Sequence, residues 1–124
     1  MLTMSRRFVI QIHSGYGPTH YDFMIEAGEA LATWQLAESP AGLTAGTAMP
    51  ARRLADHRRE YLTYEGPVSR GRGRVDILDA GECEVTAEDP LRWEFRLAGR
   101  KLAGLFELTR AEETTDAWTL RRKA

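Results

Sequence analysis

Between Arg6 and His13 apolar and polar side chains alternate, with Phe8, Ile10 and Ile12 on one side and Gln11 and His13 on the other. A period of two predicts a β-strand with one buried face. A second alternating run spans His20 to Ala27, where Tyr21, Phe23 and Ile25 oppose His20 and Asp22. Gly28 and Glu29 make a turn into a third strand, Ala30 to Leu36. Ala37 to Pro50 mixes Pro, Gly, Ser and Thr without a period and reads as a loop. Arg52 to Tyr61 is ambiguous, a helical turn leading to a short extended piece that ends at Glu65-Gly66-Pro67. Ser69 to Gly73 reads as another turn. Arg74 to Leu78 and Glu82 to Thr86 are expected to form a hairpin around Asp79-Ala80-Gly81. Leu91 to Leu97 and Lys101 to Arg110 alternate again, and Trp118 to Arg122 closes the chain.

About eight short strands separated by polar turns imply an all-β sandwich or closed barrel. A barrel is expected, because a single sheet of this length needs its edges closed or covered. Trp34, Phe95, Phe106 and Leu108 each alternate with polar neighbours, which assigns them to the core and not to a base-stacking platform.

The 124 residues suffice for one domain, 1–124, with a single core. Apolar residues at 43% and charged residues at 28% are those of an ordinary globular protein. No apolar run is long enough to span a bilayer, and no secretory signal pattern opens the chain. Met1 to Ser5 read as a frayed start, with Met4 a second candidate initiator. Cys83 is the only cysteine, which excludes an internal disulfide and fits a reducing cytoplasm. A net charge of −1 argues against a protein that simply coats nucleic acid. Lysine occurs only at Lys101 and Lys123, so nearly all positive charge is arginine, whose planar fork matches phosphate oxygens. Genomic base composition also favours arginine codons, so position, not number, must decide.

Two imidazoles and a carboxylate on adjoining strands form a donor set suited to manganese, iron or zinc, and His13, His20 and Asp22 are such a set. Singly, each reads equally well as a hydrogen-bonded strand residue. Together, in alternation, they point to a metal site. A second polar cluster runs Arg52-Arg53-Leu54-Ala55-Asp56-His57-Arg58-Arg59-Glu60-Tyr61 and continues to Tyr64-Glu65-Gly66. It reads either as a solvated charged turn or as a phosphate site. In the second reading the His57 imidazole and the Tyr61 phenol, flanked by the forks of Arg52 and Arg53, face a phosphate whose charge grows during hydrolysis. Arg70-Gly71-Arg72-Gly73-Arg74 reads as a hairpin turn or a phosphate contact, without the lysine and serine of a nucleotide loop.

These stretches together resemble the 3′-phosphoesterase domain family of the bacterial end-joining DNA ligase D. The resemblance rests on Arg7 to His13, His20 to Glu26, Trp34, Asp56 to Tyr61, Tyr64-Glu65-Gly66, Leu97 to Leu108 and Trp118 to Arg122, nearly the whole chain. It implies a small curved β-barrel whose open face holds a manganese-type divalent ion. It implies trimming of 3′ ends of DNA or RNA, by removal of a 3′-phosphate or a terminal ribonucleoside, alongside end-joining repair proteins. By position, His13, His20 and Asp22 match metal ligands, and His57 and Tyr61 match residues that engage the scissile phosphate. Gln11 and Glu26 match supporting polar positions beside it. The chain departs from the family pattern at Met24, where an arginine contacts phosphate, and near Glu38, where a lysine is replaced. The loop from His13 to His20 is one residue longer. Polymerase and ligase domains are absent, so a stand-alone protein is expected. Met24 should share the face of His20 and Asp22, with Arg52 or Arg53 supplying the missing cation. The alternative is a non-catalytic module that keeps the fold and binds DNA ends or a repair protein.

Overall fold

The structure, a computed structural model, describes residues 5–124, so the reading of Met4 lies outside the described residues. Nine strands are joined by short turns: β1 (Ser5–Ser14), β2 (His20–Ala27), β3 (Ala30–Leu36), β4 (Ala48–Arg58), β5 (Gly66–Pro67), β6 (Arg74–Asp89), β7 (Arg92–Ala98), β8 (Ala103–Thr109) and β9 (Ala117–Arg122). Three 3-10 turns, Pro40–Gly42, Arg59–Leu62 and Ser69–Gly71, are the only helical pieces among the described residues. Every pairing is antiparallel. The sheet runs β1-β2-β3-β4-β9-β8-β7-β6 and closes from β6 back onto β1, a barrel of eight strands, while β5 adds a short rung to β6. Closure removes the free edges that a sheet this size would otherwise expose.

Alternation fills the barrel. Phe8 and Ile10 of β1, Phe23 and Ile25 of β2, Trp34 of β3, Phe95 of β7 and Phe106 and Leu108 of β8 are all buried in one cluster. Phe95 and Phe106 stack nearly parallel, and Trp34 meets Trp93 and Trp118 edge to face. The core assignment of Trp34, Phe95, Phe106 and Leu108 holds. A smaller apolar cluster of Val9, Met24, Leu31 and Leu62 forms on the opposite, outer side of β1 to β3. Leu62 belongs to the 3-10 turn Arg59–Leu62, so this cluster fastens that turn to the outside of the barrel.

Strand ends follow the alternation closely, except that β4 begins at Ala48, inside the expected loop, where it pairs with β9; two further stretches differ. Asp79-Ala80-Gly81 is not a hairpin turn; β6 runs through it without a break. The buried Asp79 carboxylate accepts backbone N–H groups of Arg100, Lys101 and Leu102 at 2.8–3.0 Å, so its turn-forming side chain serves a distant loop. Gly81 lies so close to the Ala98 carbonyl that no Cβ would fit. The second difference is the order within the ambiguous segment. β4 stays extended to Arg58, paired with β3, and the helical turn follows it.

Candidate metal centre and adjoining cleft

β1 and β2 pair with His13 opposite His20 and Gln11 opposite Asp22. Both rungs point to the outer face, so the register alone gathers two imidazoles and a carboxylate. Their ligating atoms lie within 4.8 Å of one another, and the two imidazole rings are 4.8 Å apart between centroids. Hydrogen bonds orient the rings. His13 Nε2 meets the Arg72 carbonyl at 2.6 Å, and His20 Nδ1 faces the Pro18 carbonyl at 3.4 Å. A ring that donates one N–H to a carbonyl presents its other nitrogen as a lone pair, the form a metal needs.

Asp22 provides the test of fit. It is only 4% exposed, and its Oδ1 makes no hydrogen bond, with His20 Nε2 standing 3.5 Å away. Burial pushes the carboxyl above its ordinary range, against the pull of the His20, His57 and His13 imidazoles. An orphaned carboxylate oxygen beside two oriented imidazoles is costly unless a cation compensates it. The donor set and the orphaned oxygen both fit a divalent transition metal.

His57 reaches this face through a defect in pairing. Leu31 pairs with His57 and Thr33 with Leu54, so β4 has one residue more than β3 over this interval. Leu54 and His57, three apart, would otherwise point to opposite sides of the sheet; the bulge turns both outward. His57 Nδ1 lies 3.0 Å from the Ala55 carbonyl, and its ring meets Tyr61 edge to face at 6.0 Å. The buried Gln11 amide donates to the carbonyls of Tyr61 and Tyr64 at 2.9 and 3.0 Å. One cleft of about 430 Å³ results, lined by His13, Asp22, His57, Arg58, Tyr61 and Arg72 among others.

The remaining candidates fall elsewhere. Arg53 pairs with Trp34 on the barrel side, and its guanidinium stacks 4.5 Å over the Trp34 ring. Arg52 does share the outer face, in the row Asp22, Gln35, Arg52, but two strands from Asp22 it lines a separate recess with Gln35 and Trp118. Glu26 is ion-paired with Arg59 at 2.5 Å and Arg7 at 3.3 Å, so it anchors the start of the 3-10 turn. Met24 has the expected parity, yet it is fully buried between Val9, Leu31 and Leu62, away from any ligand. Glu38 is exposed. The cations that do line the cleft are Arg58 and Arg72. Arg72 lies in the arginine-glycine stretch. Arg58 is next to His57, and simple alternation would turn it away; β4 ends there, which frees its side chain.

Residues 11–110 match the family model described as the DNA Ligase D 3′-phosphoesterase domain. The chain belongs to this family. It is 34% identical to the multifunctional non-homologous end joining DNA repair protein LigD of Mycobacterium tuberculosis, over 93% of this chain and 16% of that protein. It is 29% identical to the multifunctional non-homologous end joining protein LigD of Pseudomonas aeruginosa, over 84% of this chain and 13% of that protein. The chain thus spans about a sixth of the length of the curated relatives it matches. Within the LigD 3′-phosphoesterase family, end-joining DNA repair is the common setting. Among the described residues no helix is long and apolar enough to cross a membrane.

Proposed function

We propose that this chain is a metal-dependent phosphoesterase acting on nucleic-acid 3′ ends, removing a 3′-phosphate or a 3′-terminal ribonucleoside during DNA repair. The observation that carries the reading is the orphaned Asp22 oxygen, set between two imidazoles in the cleft that His57 and Tyr61 line. His13, His20 and Asp22 would hold the ion, with Mn²⁺ the proposed occupant and Zn²⁺ or another first-row metal also compatible. When bound, such an ion polarises phosphoryl oxygens or lowers the pKa of water.

The chain's own groups do the rest. With Nδ1 turned to the Ala55 carbonyl, His57 presents Nε2 to the cleft; protonated, it donates a charge-assisted hydrogen bond as phosphoryl charge grows. Tyr61 offers a hydroxyl donor. Arg58, with its side chain 76% exposed and, among the described residues, only Glu60 paired with it at 3.4 Å, supplies the fork that Met24 does not. Gln11 and Glu26 keep the 3-10 turn in place, Gln11 through the Tyr61 carbonyl and Glu26 through Arg59. The proposed setting is the cytoplasm, with DNA or RNA 3′ ends as substrate and end-joining repair proteins as partners.

A gel assay tests this: manganese-loaded protein is incubated with primer-templates ending in a 3′-phosphate or a single ribonucleotide, and a 3′-hydroxyl product is expected. The buried Met24 favours a second reading, a non-catalytic module for DNA ends or a repair protein, because an arginine contact to phosphate is missing at that position. Tight binding of the same ends with no product in any first-row metal decides for the module.

A further inference from the structure

A second recess opens beside the cleft, between the 3-10 turns Arg59–Leu62 and Ser69–Gly71, and it shares Arg58 and Tyr61 with it. Its lining is Arg58, Glu60, Tyr61, Tyr64, Pro67 and Ser69, around about 230 Å³. We propose that this recess takes the base and sugar of the nucleotide on the 5′ side of the scissile phosphate. The proposal rests on the phosphoesterase reading and extends it to the shape of the substrate.

Continuity is the first reason. A 3′ phosphate seated between the metal trio and His57 leaves the attached nucleotide a choice of neighbouring surfaces. The recess holding Gln35, Arg52 and Trp118 shares no lining residue with the cleft, whereas this one shares its dividing wall.

Chemistry is the second reason. His57, Tyr61 and Tyr64 form an unbroken run of rings, with centroids 6.0 and then 5.8 Å apart, leading from the cleft into the recess. Aromatic faces accept any base by stacking. Arg58 stands on the partition, where one guanidinium fork can span the scissile phosphate and the next phosphodiester. Tyr64 is held rigid by its hydroxyl donating to the Pro67 carbonyl, and Gly66 packs closely against it, where a Cβ would stand 3.1 Å from the hydroxyl. A fixed ring binds with less ordering cost than a mobile one.

Binding, not turnover, provides the test. Methylphosphonate and a mononucleoside ending in a non-hydrolysable 3′-methylenephosphonate, which differ in the base and sugar, are titrated by calorimetry into manganese-loaded protein. The wild type is expected to bind the mononucleoside phosphonate about tenfold more tightly, the scale of one stacked base. Ser69→Trp, which fills the recess, abolishes that advantage and leaves methylphosphonate affinity unchanged. Ser69→Ala keeps the advantage, which separates filling from loss of the hydrogen bond that Arg72 donates to the Ser69 hydroxyl. Glu60→Trp, filling from the other turn, repeats the Ser69→Trp result if that variant folds poorly. A wild type with equal affinities, or an advantage that survives both fillings, overturns the inference while the phosphoesterase reading stands. Absence of binding by either phosphonate overturns both.

Discussion

The Gln11 side-chain amide donates to the backbone carbonyl of Tyr61 at 2.9 Å, from a position only 1% exposed. Gln11 sits on the rung opposite Asp22, so a single residue ties the strands of His13, His20 and Asp22 to the turn that carries the Tyr61 phenol. Its second N–H goes to Tyr64, which leaves no donor unused. Gln11→Leu keeps the volume and strands both carbonyls, at a cost of about 2–3 kcal/mol. Denaturant unfolding should show that loss, while manganese affinity changes little and turnover falls steeply. Unchanged turnover would mean the turn needs no such strut.

Asp22 illustrates a conflict between folding and function. Buried with an unpartnered oxygen, it weakens the metal-free protein, and Asp22→Asn should melt at or above the wild-type temperature without metal. Saturating Mn²⁺ should reverse the order, since a ligand at about 100 times its Kd adds roughly 2.7 kcal/mol to the state that binds it. Differential scanning calorimetry with and without metal reads both effects. A metal-induced rise of equal size in Asp22→Asn would remove Asp22 from the ligand set.

Glu26 sets an acid limit on the turn. Burial alone would raise its carboxyl; hydrogen bonds from Arg7 and the charges of Arg7 and Arg59 outweigh that and lower it below the ordinary glutamate value of 4.5. A carboxylate lowered in the folded state stabilises fully above its unfolded pKa, and that contribution is lost as pH falls through the folded value. The wild type should therefore lose stability relative to Glu26→Gln below about pH 4.5. The gap between their unfolding midpoints, wide at pH 7, should narrow at pH 3. A gap independent of pH would show that the ion pairs contribute nothing.

Much of this was legible in the sequence because it depends on period alone. The outer-face trio and the inner-face aromatics both follow from alternation, and His13 and His20 bracket their own hairpin loop, so their pairing was nearly forced. Bulges were not legible. Nothing in Leu54 to His57 announces the extra residue that turns His57 outward, and nothing near Asp79 announces the loop its carboxylate caps. Arg53 was misplaced for the same reason: in one charge run with His57, four residues before it, it lies on the opposite face and stacks on Trp34. Met24 shows that parity fixes a face without fixing access, since the turn that covers it comes from far along the chain.

Met24 itself is open to experiment. The family pattern has a phosphate-contacting arginine at this position, but the burial of Met24 beneath Leu62 would make the Met24→Arg side chain a core charge. The variant should lose several kcal/mol of stability and gain no activity, whereas Met24→Leu should cost less than about 1.5 kcal/mol. Thermal melts of the two variants distinguish these outcomes, and a stable, more active Met24→Arg would show that the turn lifts away to admit substrate.

The last prediction separates the arginines. Arg58 and Arg53 lie in one charged run, and the fold gives them opposite work. Arg53 packs over Trp34 at 4.5 Å and Trp93 at 5.9 Å, part of the lining at one end of the barrel. Arg53→Ala should therefore lower stability by about 1 kcal/mol through lost cation–π and packing contact, and leave phosphate affinity unchanged. Arg58→Ala removes an exposed side chain whose one paired carboxylate among the described residues is Glu60, so stability should stay within about 0.5 kcal/mol. Its effect should fall on substrate: KM for a 3′-phosphate end should rise about tenfold or more, the scale of one charge-assisted contact. Arg58→Lys keeps the charge and loses the fork, and should recover only part of the affinity. Steady-state kinetics and denaturant unfolding on the three variants give a two-way separation of stability from binding. If Arg53→Ala weakens substrate binding while Arg58→Ala does not, the cleft described around His57 is not where the phosphate sits.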